Sequence, residues 1–277
     1  MAISKTHVNE LKIQAAKVRK ETVQLIFDGK GGHIGGDLSE VDLLVTIYDY
    51  MQHDPQNPES KDRDYFILST GHAAEAYYTV LAEHGYISRK ELDSFGKFGG
   101  ALGGHPSKKT KGVEANTGSL GHGLGLATGM ALALQRDERS NRVCVLTGDG
   151  ELAEGSVWEA AMSAAKFKLS NLTWLIDRNH LQISGNTEDV MPLEELKGKT
   201  EAFGFETRVI DGHDIVQIHE ALAASQQSKP VCIIANTTKG KGLACAENQA
   251  SWHHKTPTLE QVEQMEHAYE EVRKELA

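Results

Sequence analysis

Residues 143–184 constrain the fold of this 277-residue chain more than any other stretch. The run Val-Cys-Val-Leu-Thr at 143–147 has the length and β-branching of a buried strand, and Gly148-Asp149-Gly150 forces it to stop and turn. Small and apolar residues (Val157, Ala160, Ala161, Ala164, Ala165) then recur at helical spacing, and Leu-Thr-Trp-Leu-Ile-Asp at 172–177 reads as a second strand. Strand, glycine turn, helix and strand make the βαβ unit of a parallel sheet.

The chemistry of this unit sits at its strand ends. A right-handed crossover brings the carboxyl ends of both strands to one edge, where open α/β sheets bind ligands. Asp149 follows the first strand and Asn179 the second. A carboxylate and an amide oxygen meeting there form a hard oxygen site suited to Mg²⁺ or Ca²⁺. Gly148 and Gly150 let the backbone approach a phosphate closely, and the next helix offers it a positive N-terminus. A bare Gly-Asp-Gly is common in surface turns. The flanking strands, and a second oxygen ligand one crossover later, give it weight.

The flanking residues carry a resemblance. Gly148-Asp149-Gly150 followed by Asn179 resembles the thiamine diphosphate signature. Gly150-Glu-Leu-Ala-Glu154-Gly155-Ser-Val-Trp158-Glu159 and Asp177-Arg-Asn179-His-Leu181-Gln-Ile-Ser-Gly185 are similar to the transketolase family. The resemblance implies that Asp149, Asn179 and the backbone carbonyl of Leu181 hold the metal that clamps the cofactor diphosphate. It also implies that Gly148 and Gly150 line that site. The family often has two asparagines where this chain has Arg178-Asn179, and only the second is a ligand.

Strand and helix patterns alternate along the rest of the chain. Helices are expected over 8–27, from a Ser39/Asp42 capping box through residue 50, over 73–84, and from Ser88 with Glu91. Further helices are expected over 121–135, around 193–203, over 215–224, and from Thr258 to the last residue. Strands are expected at 65–68, 205–210 and 231–235. Residues 29–36 are too glycine-rich for either element, and 95–118 read mostly as loop. The pattern predicts one α/β domain over 1–277: a doubly wound, mainly parallel sheet with helices on both faces, its core at 8–257 and a C-terminal helix over 258–277.

A net charge of −10 argues against nucleic acid and anionic membranes, both of which call for basic surface. No apolar run approaches the ~18–20 residues that span a bilayer. The basic start at 12–20 lacks an apolar core and reads as helix rather than export signal. Cys144, Cys232 and Cys245 show no paired spacing, which suits a reducing cytoplasm.

Five Gly-His pairs, at His33, His72, His105, His122 and His213, are several-fold more than chance ordering of 27 glycines and 13 histidines produces. Histidine exchanges protons near neutral pH, and glycine lets a loop fold tightly around a ligand. No pair has zinc-like helical spacing. The resemblance extends to Gly32-His33-Ile-Gly-Gly, Ser69-Thr70-Gly71-His72-Ala and Gly104-His105-Pro106, whose histidines in the family line the substrate channel and contact the diphosphate. Thr70 stands where the family commonly has lysine. Segment 114–121 resembles the one that places Gly118 and Leu120 on the cofactor. Trp252-His253-His254 matches the late histidine loop, with His253 on the family position and His254 as its competitor. Lys239-Gly-Lys-Gly242 matches too, although as bare text it reads as a solvated basic turn. Glu154 reads either as a cap for the following helix or, by the resemblance, as a cofactor neighbour at a subunit interface. The Asp211-Gly212-His213-Asp214 turn reads as structural.

In the family, a glutamate in a second, pyrimidine-binding domain activates the cofactor. The match covers 8–257, and no second α/β domain follows it. The resemblance therefore implies the amino-terminal subunit of a split transketolase, inactive alone and completed, in an α₂β₂ assembly, by a carboxyl-terminal subunit. The implied reaction is transfer of a two-carbon ketol unit from a ketose to an aldose, phosphorylated or sulfonated. His33, His105 and His253 would handle hydroxyl protons. Rival expectations are a subunit like 1-deoxyxylulose-5-phosphate synthase or a 2-oxo acid dehydrogenase, and a non-catalytic regulatory subunit that keeps the cofactor fold.

Overall fold

A computed structural model describes residues 3–223 and 228–276. Helix α1 (Lys5–Gly29) is capped by the Ser4 hydroxyl, which accepts from His7 N, and stops at Lys30 in the left-handed conformation. Helix α2 spans Ile34–Tyr50, followed by β1 (Tyr65–Leu68), α3 (Ala74–Glu83) and the single turn α4 (Arg89–Leu92). Next come α5 (Gly123–Arg136), β2 (Val143–Gly148), α6 (Gly155–Lys166) and β3 (Leu172–Arg178). A small hairpin follows, β4 (Leu181–Gln182) with β5 (Gly185–Asn186), then α7 (Thr187–Val190) and α8 (Leu196–Ala202). The chain continues through β6 (Glu206–Asp211), α9 (Ile215–Ala223), β7 (Val231–Asn236) and α10 (Leu259–Leu276).

Among the described residues, the central sheet has five parallel strands in the order β1-β2-β3-β7-β6. Strands β1, β2, β3 and β7 are apolar on both faces, and the period of two splits each between two cores. Phe66, Leu68, Leu146, Leu175 and Ile233 meet α1, α2, α3 and α9 on one side. Ile67, Val145, Trp174, Ile176 and Ile234 meet α5, α6 and α8 on the other. Trp174 is fully buried and its Nε1 donates to Thr147 Oγ1 at 2.8 Å. Truncating it to alanine would cost about 3–5 kcal/mol. A third core, with Val23, Ile26, Ile34, Leu38 and Trp252, seats α10 through Val262 and Met265.

The doubly wound α/β architecture is the one the sequence predicts, with one displaced boundary. Residues 29–36 are not one loop: α1 reaches Gly29 and α2 opens at Ile34, with His33 at its cap position. The Ser39/Asp42 pair therefore caps nothing. Ser39 lies inside α2, and its hydroxyl donates to Asp177 Oδ2 at 2.6 Å. The true capping box is at Ser88 and Glu91. The hairpin and α7 carry no apolar period in the sequence. The expected helix over 215–224 ends at Ala223 and the last helix at Leu276, residues 224 and 277 lying outside the described residues.

Candidate active site

Register brings the strand ends level. Gly148 of β2 pairs with Asp177 of β3, and Asp177 pairs with Ala235 of β7. Residues just beyond these positions line a cavity of about 440 Å³ at the carboxyl edge of the sheet. The residues that the sequence assigns to cofactor, metal and sugar all line it, except Glu154 and the competitor His254.

Asp149 lies on its floor, 1% exposed. Its Oδ1 accepts from Gly150 N at 2.7 Å, and its Oδ2 from His180 N at 2.7 Å and Arg178 Nη1 at 2.9 Å. Burial pushes its carboxyl up to about 6, Asp177 adds to this, and Arg178 offsets part. Asp177 orients the second oxygen donor. It accepts from Ser39 Oγ, from Thr237 Oγ1 and, at 2.7 Å, from Asn179 Nδ2. That bond turns Asn179 Oδ1 the other way, where it accepts from Leu181 N at 3.1 Å. Glu151 fixes the glycine turn, accepting from Gly148 N, Gly121 N and Ser69 Oγ.

Two glycines are sterically required here. A Cβ on Gly150 would stand 2.8 Å from Gln182 Cγ in the cavity wall. Gly121 has φ +82°, and its Cβ would strike Glu154 Cβ at 2.6 Å.

The histidine loops converge on His33. Its ring centroid lies 5.2 Å from His72, 6.0 Å from His105, 5.4 Å from His253 and 4.7 Å from His254. Burial first, then the neighbouring cationic groups, push His33 down to about 4 and His72 and His253 down to about 3. These three rings are thus neutral at physiological pH. His253 lines the cavity, whereas His254, which also reaches His33, is exposed beside Gly31. The other two Gly-His pairs lie elsewhere: His122 is exposed at the start of α5, and His213 bonds Asp42 and Thr238 N.

Glu154 is exposed at the start of α6 and makes no side-chain capping bond. It stands outside the cavity lining; on the two neighbouring helices, Leu126 of α5 is 47% and Met162 of α6 is 61% exposed.

Lys239 corrects the reading of its loop as a solvated turn, being 2% exposed. Its ammonium donates to the Leu181 carbonyl at 3.0 Å and lies 3.2 Å from His253 Nδ1. The signal for it in the sequence is its place directly beyond β7, the strand beside β3. Glu40, 1% exposed on α2, also lines the cavity, with Oε2 unpartnered. A helix start at Ser39 hides it, because such a cap would put Glu40 in the first turn at the surface.

The donors fit a hard cation. Asp149, Asn179 Oδ1 and the Leu181 carbonyl supply oxygen only, and among the described residues no group of three or more His, Cys, Asp or Glu could hold a metal. An ion held by three protein oxygens would have positions left for a ligand's own oxygens, and buried Lys239 sets positive charge beside the Leu181 carbonyl. Glu40 Oε2 has no hydrogen-bond partner and stands beside the Thr70 hydroxyl, marking further polar capacity on the wall.

Comparison with known proteins agrees with this chemistry. Residues 11–272 match the family described as transketolase, thiamine diphosphate binding domain. The chain is 44% identical over 261 residues to one of the named subunits of the apulose-4-phosphate transketolase of Phocaeicola vulgatus, covering 93% of this chain and 92% of that protein. It is 40% identical over 255 residues to 6-deoxy-6-sulfo-D-fructose transketolase subunit SqwG of a Clostridium species, covering 91% and 93%. The crystal structure of transketolase from Campylobacter jejuni superposes with a TM-score of 0.90 at 32% identity, over 94% of this chain but 42% of that one. No helix among the described residues is long and apolar enough to cross a membrane. With its family match, its sheet and its cavity in agreement, this chain belongs to the transketolase family, as its thiamine diphosphate-binding domain.

Proposed function

We propose that this chain is the cofactor-binding subunit of a two-subunit transketolase, transferring a two-carbon ketol unit between sugars with thiamine diphosphate and Mg²⁺. The observation that carries the reading is the convergence of Asp149, Asn179, Leu181, Lys239 and His33 on one cavity at the carboxyl edge of the sheet. The two relatives named as subunits match this chain over nearly their full length, which supports a chain working beside a separate partner.

Thiamine diphosphate, when bound, supplies the electron sink that lets a ketose carbon–carbon bond break. The protein residues have separate tasks. Asp149, Asn179 Oδ1 and the Leu181 carbonyl hold the metal, and His72, Gly148 and Gly150 flank the diphosphate. Lys239 balances its charge. Gly118 and Leu120 pack on the cofactor. His33, His105 and His253 face the sugar and handle its hydroxyl protons, the rings of His33 and His253 being neutral in the free chain and so able to accept a hydrogen bond from a hydroxyl.

The partner carries the pyrimidine-binding domain and completes an α₂β₂ assembly. It docks against the neighbouring helices α5 and α6, where Leu126, Met162 and Glu154 are exposed. Residues 8–257 act as one cofactor-binding unit, with α10 braced on α1. The free cysteines fit a cytoplasmic setting.

The test is co-purification with a pyrimidine-domain subunit, then ketol-transfer assays on phosphorylated and sulfonated ketoses. Activity is expected only in the mixture and is lost on Asp149→Ala. Robust turnover by this chain alone would overturn the split-enzyme reading. A tight complex inactive on every sugar would instead identify a regulatory subunit.

A further inference from the structure

Arg178, the last residue of β3, is 1% exposed, and its guanidinium has four partners. Nη1 donates to Asp149 Oδ2 at 2.9 Å and to Thr187 Oγ1 at 2.7 Å. Nη2 donates to Glu188 Oε1 at 2.7 Å and to Glu194 Oε1 at 2.9 Å. Three of these partners belong to the segment that follows the β4–β5 hairpin, and the hairpin is the wall of the cavity. Glu188 in turn accepts from the backbone N–H groups of Leu193 and Glu194, and Thr187 N closes the hairpin onto His180 O. One planar side chain therefore spans from the cavity floor to the whole of segment 181–194.

We propose that Arg178 is a positioning residue that ties the Asp149 carboxylate to the hairpin wall, so that metal binding at Asp149 and ordering of segment 181–194 are coupled. The inference rests on the reading of Asp149 as a metal ligand. A guanidinium this close would by itself repel a divalent cation, but Glu188 and Glu194 outweigh its single charge, leaving the cluster net negative. Its remaining effect is orientation: it occupies one side of Oδ2 and fixes the plane of the carboxylate. Lysine cannot do the same, because a point charge on a flexible stem cannot bridge four partners in a plane.

The test uses the complex with the partner subunit, with Mn²⁺ as the probe ion in saturating thiamine diphosphate. Arg178→Met is expected to weaken the apparent Mn²⁺ affinity about 10- to 100-fold, as removing groups that orient metal ligands does. Arg178→Lys should fail to restore it. Hydrogen exchange supplies a second readout: in the wild type, metal and cofactor slow exchange across 181–194, and in Arg178→Met that protection is lost while β2 and β7 exchange as before. Wild-type affinity with wild-type protection in Arg178→Met overturns the proposal. If that variant does not fold, Glu194→Gln replaces it, because its side chain is 52% exposed and tolerates change. A several-fold loss of Mn²⁺ affinity with reduced protection is expected there, and unchanged values overturn the proposal. A wild-type complex that binds no metal with the cofactor overturns the functional reading itself, a distinct outcome.

Discussion

The Lys239 ammonium donates to the Leu181 carbonyl at 3.0 Å, joining the loop beyond β7 to the hairpin beyond β3. The bond places a cation against an oxygen assigned here to the metal. Burial lowers the lysine's proton affinity, and Asp177, Asp149 and Glu40 offset part of that loss. Charge-assisted hydrogen bonds contribute about 1.5–3 kcal/mol. Lys239→Met should therefore weaken thiamine diphosphate binding roughly 10- to 100-fold at fixed Mg²⁺. Calorimetric titration checks this, and an unchanged affinity would leave Lys239 a purely architectural role.

Asp149 gives a pH dependence with two opposed signs. Its carboxyl is raised from 3.8 to about 6 in the fold, so the unfolded chain releases its proton first. Folding stability from this group is fully present below pH 3.8 and is lost as pH rises through about 6. The loss is on the order of 3 kcal/mol. Metal binding runs the other way, since only the carboxylate ligates, and apparent Mg²⁺ affinity should fall as pH drops below about 6. Melting curves of metal-free wild type and Asp149→Asn at pH 4 and 7 check the first sign, because the variant should gain relative stability at the higher pH. Mg²⁺ titrations across the same range check the second.

How far the site can be read from sequence depends on whether each signal is local. The βαβ unit announces itself because its apolar runs, glycine turn and small-residue helix are contiguous, and Asp149 and Asn179 follow from strand ends alone. The histidines stand out by their glycine neighbours, and the turn text around His213 marks it as structural, yet nothing local separates His33, His72 and His105, which meet, from His122, which does not. Lys239 looks solvated because text shows its polar neighbours but not the sheet edge on which it lies. Glu40 disappears behind the Ser39/Asp42 pattern, a genuine capping text used inside a helix to reach Asp177. The four partners of Arg178 come from 149 and from 187–194, and only the folded hairpin brings them together.

His72 carries a stability change of the opposite kind. Burial, then His253 and His33, push it down to about 3, so protonation is resisted in the fold. Its stabilising contribution is present above pH 6.5 and is lost as pH falls toward 3. Between pH 7 and 5 the cost is on the order of 2 kcal/mol. His72→Asn, which cannot take up a proton, should lose correspondingly less stability over that interval. Parallel denaturation curves at the two pH values measure the difference, and identical pH slopes would show that the ring is solvated and titrates freely.

The face of α5 and α6 is where a partner should be lost without loss of the fold. Gly129 and Gly155 have open space where a side chain would stand, so the helix backbones themselves are accessible there. Leu126 and Met162 are 47% and 61% exposed on these neighbouring helices, and Leu120, 37% exposed, lines the cavity. A charge at these positions meets water in the free chain, where surface substitutions usually stay within about 0.5 kcal/mol. In a complex it would be desolvated without a partner, at a cost of several kcal/mol. Leu126→Asp and Met162→Glu should therefore melt like the wild type and bind cofactor as it does in isolation, yet fail to co-elute with the pyrimidine-domain subunit. Size-exclusion chromatography with light scattering on the co-expressed pair decides it. Wild-type assembly by both variants would move the interface to another face of the cavity mouth, with the exposed Ile183 at the hairpin tip as the next position to charge.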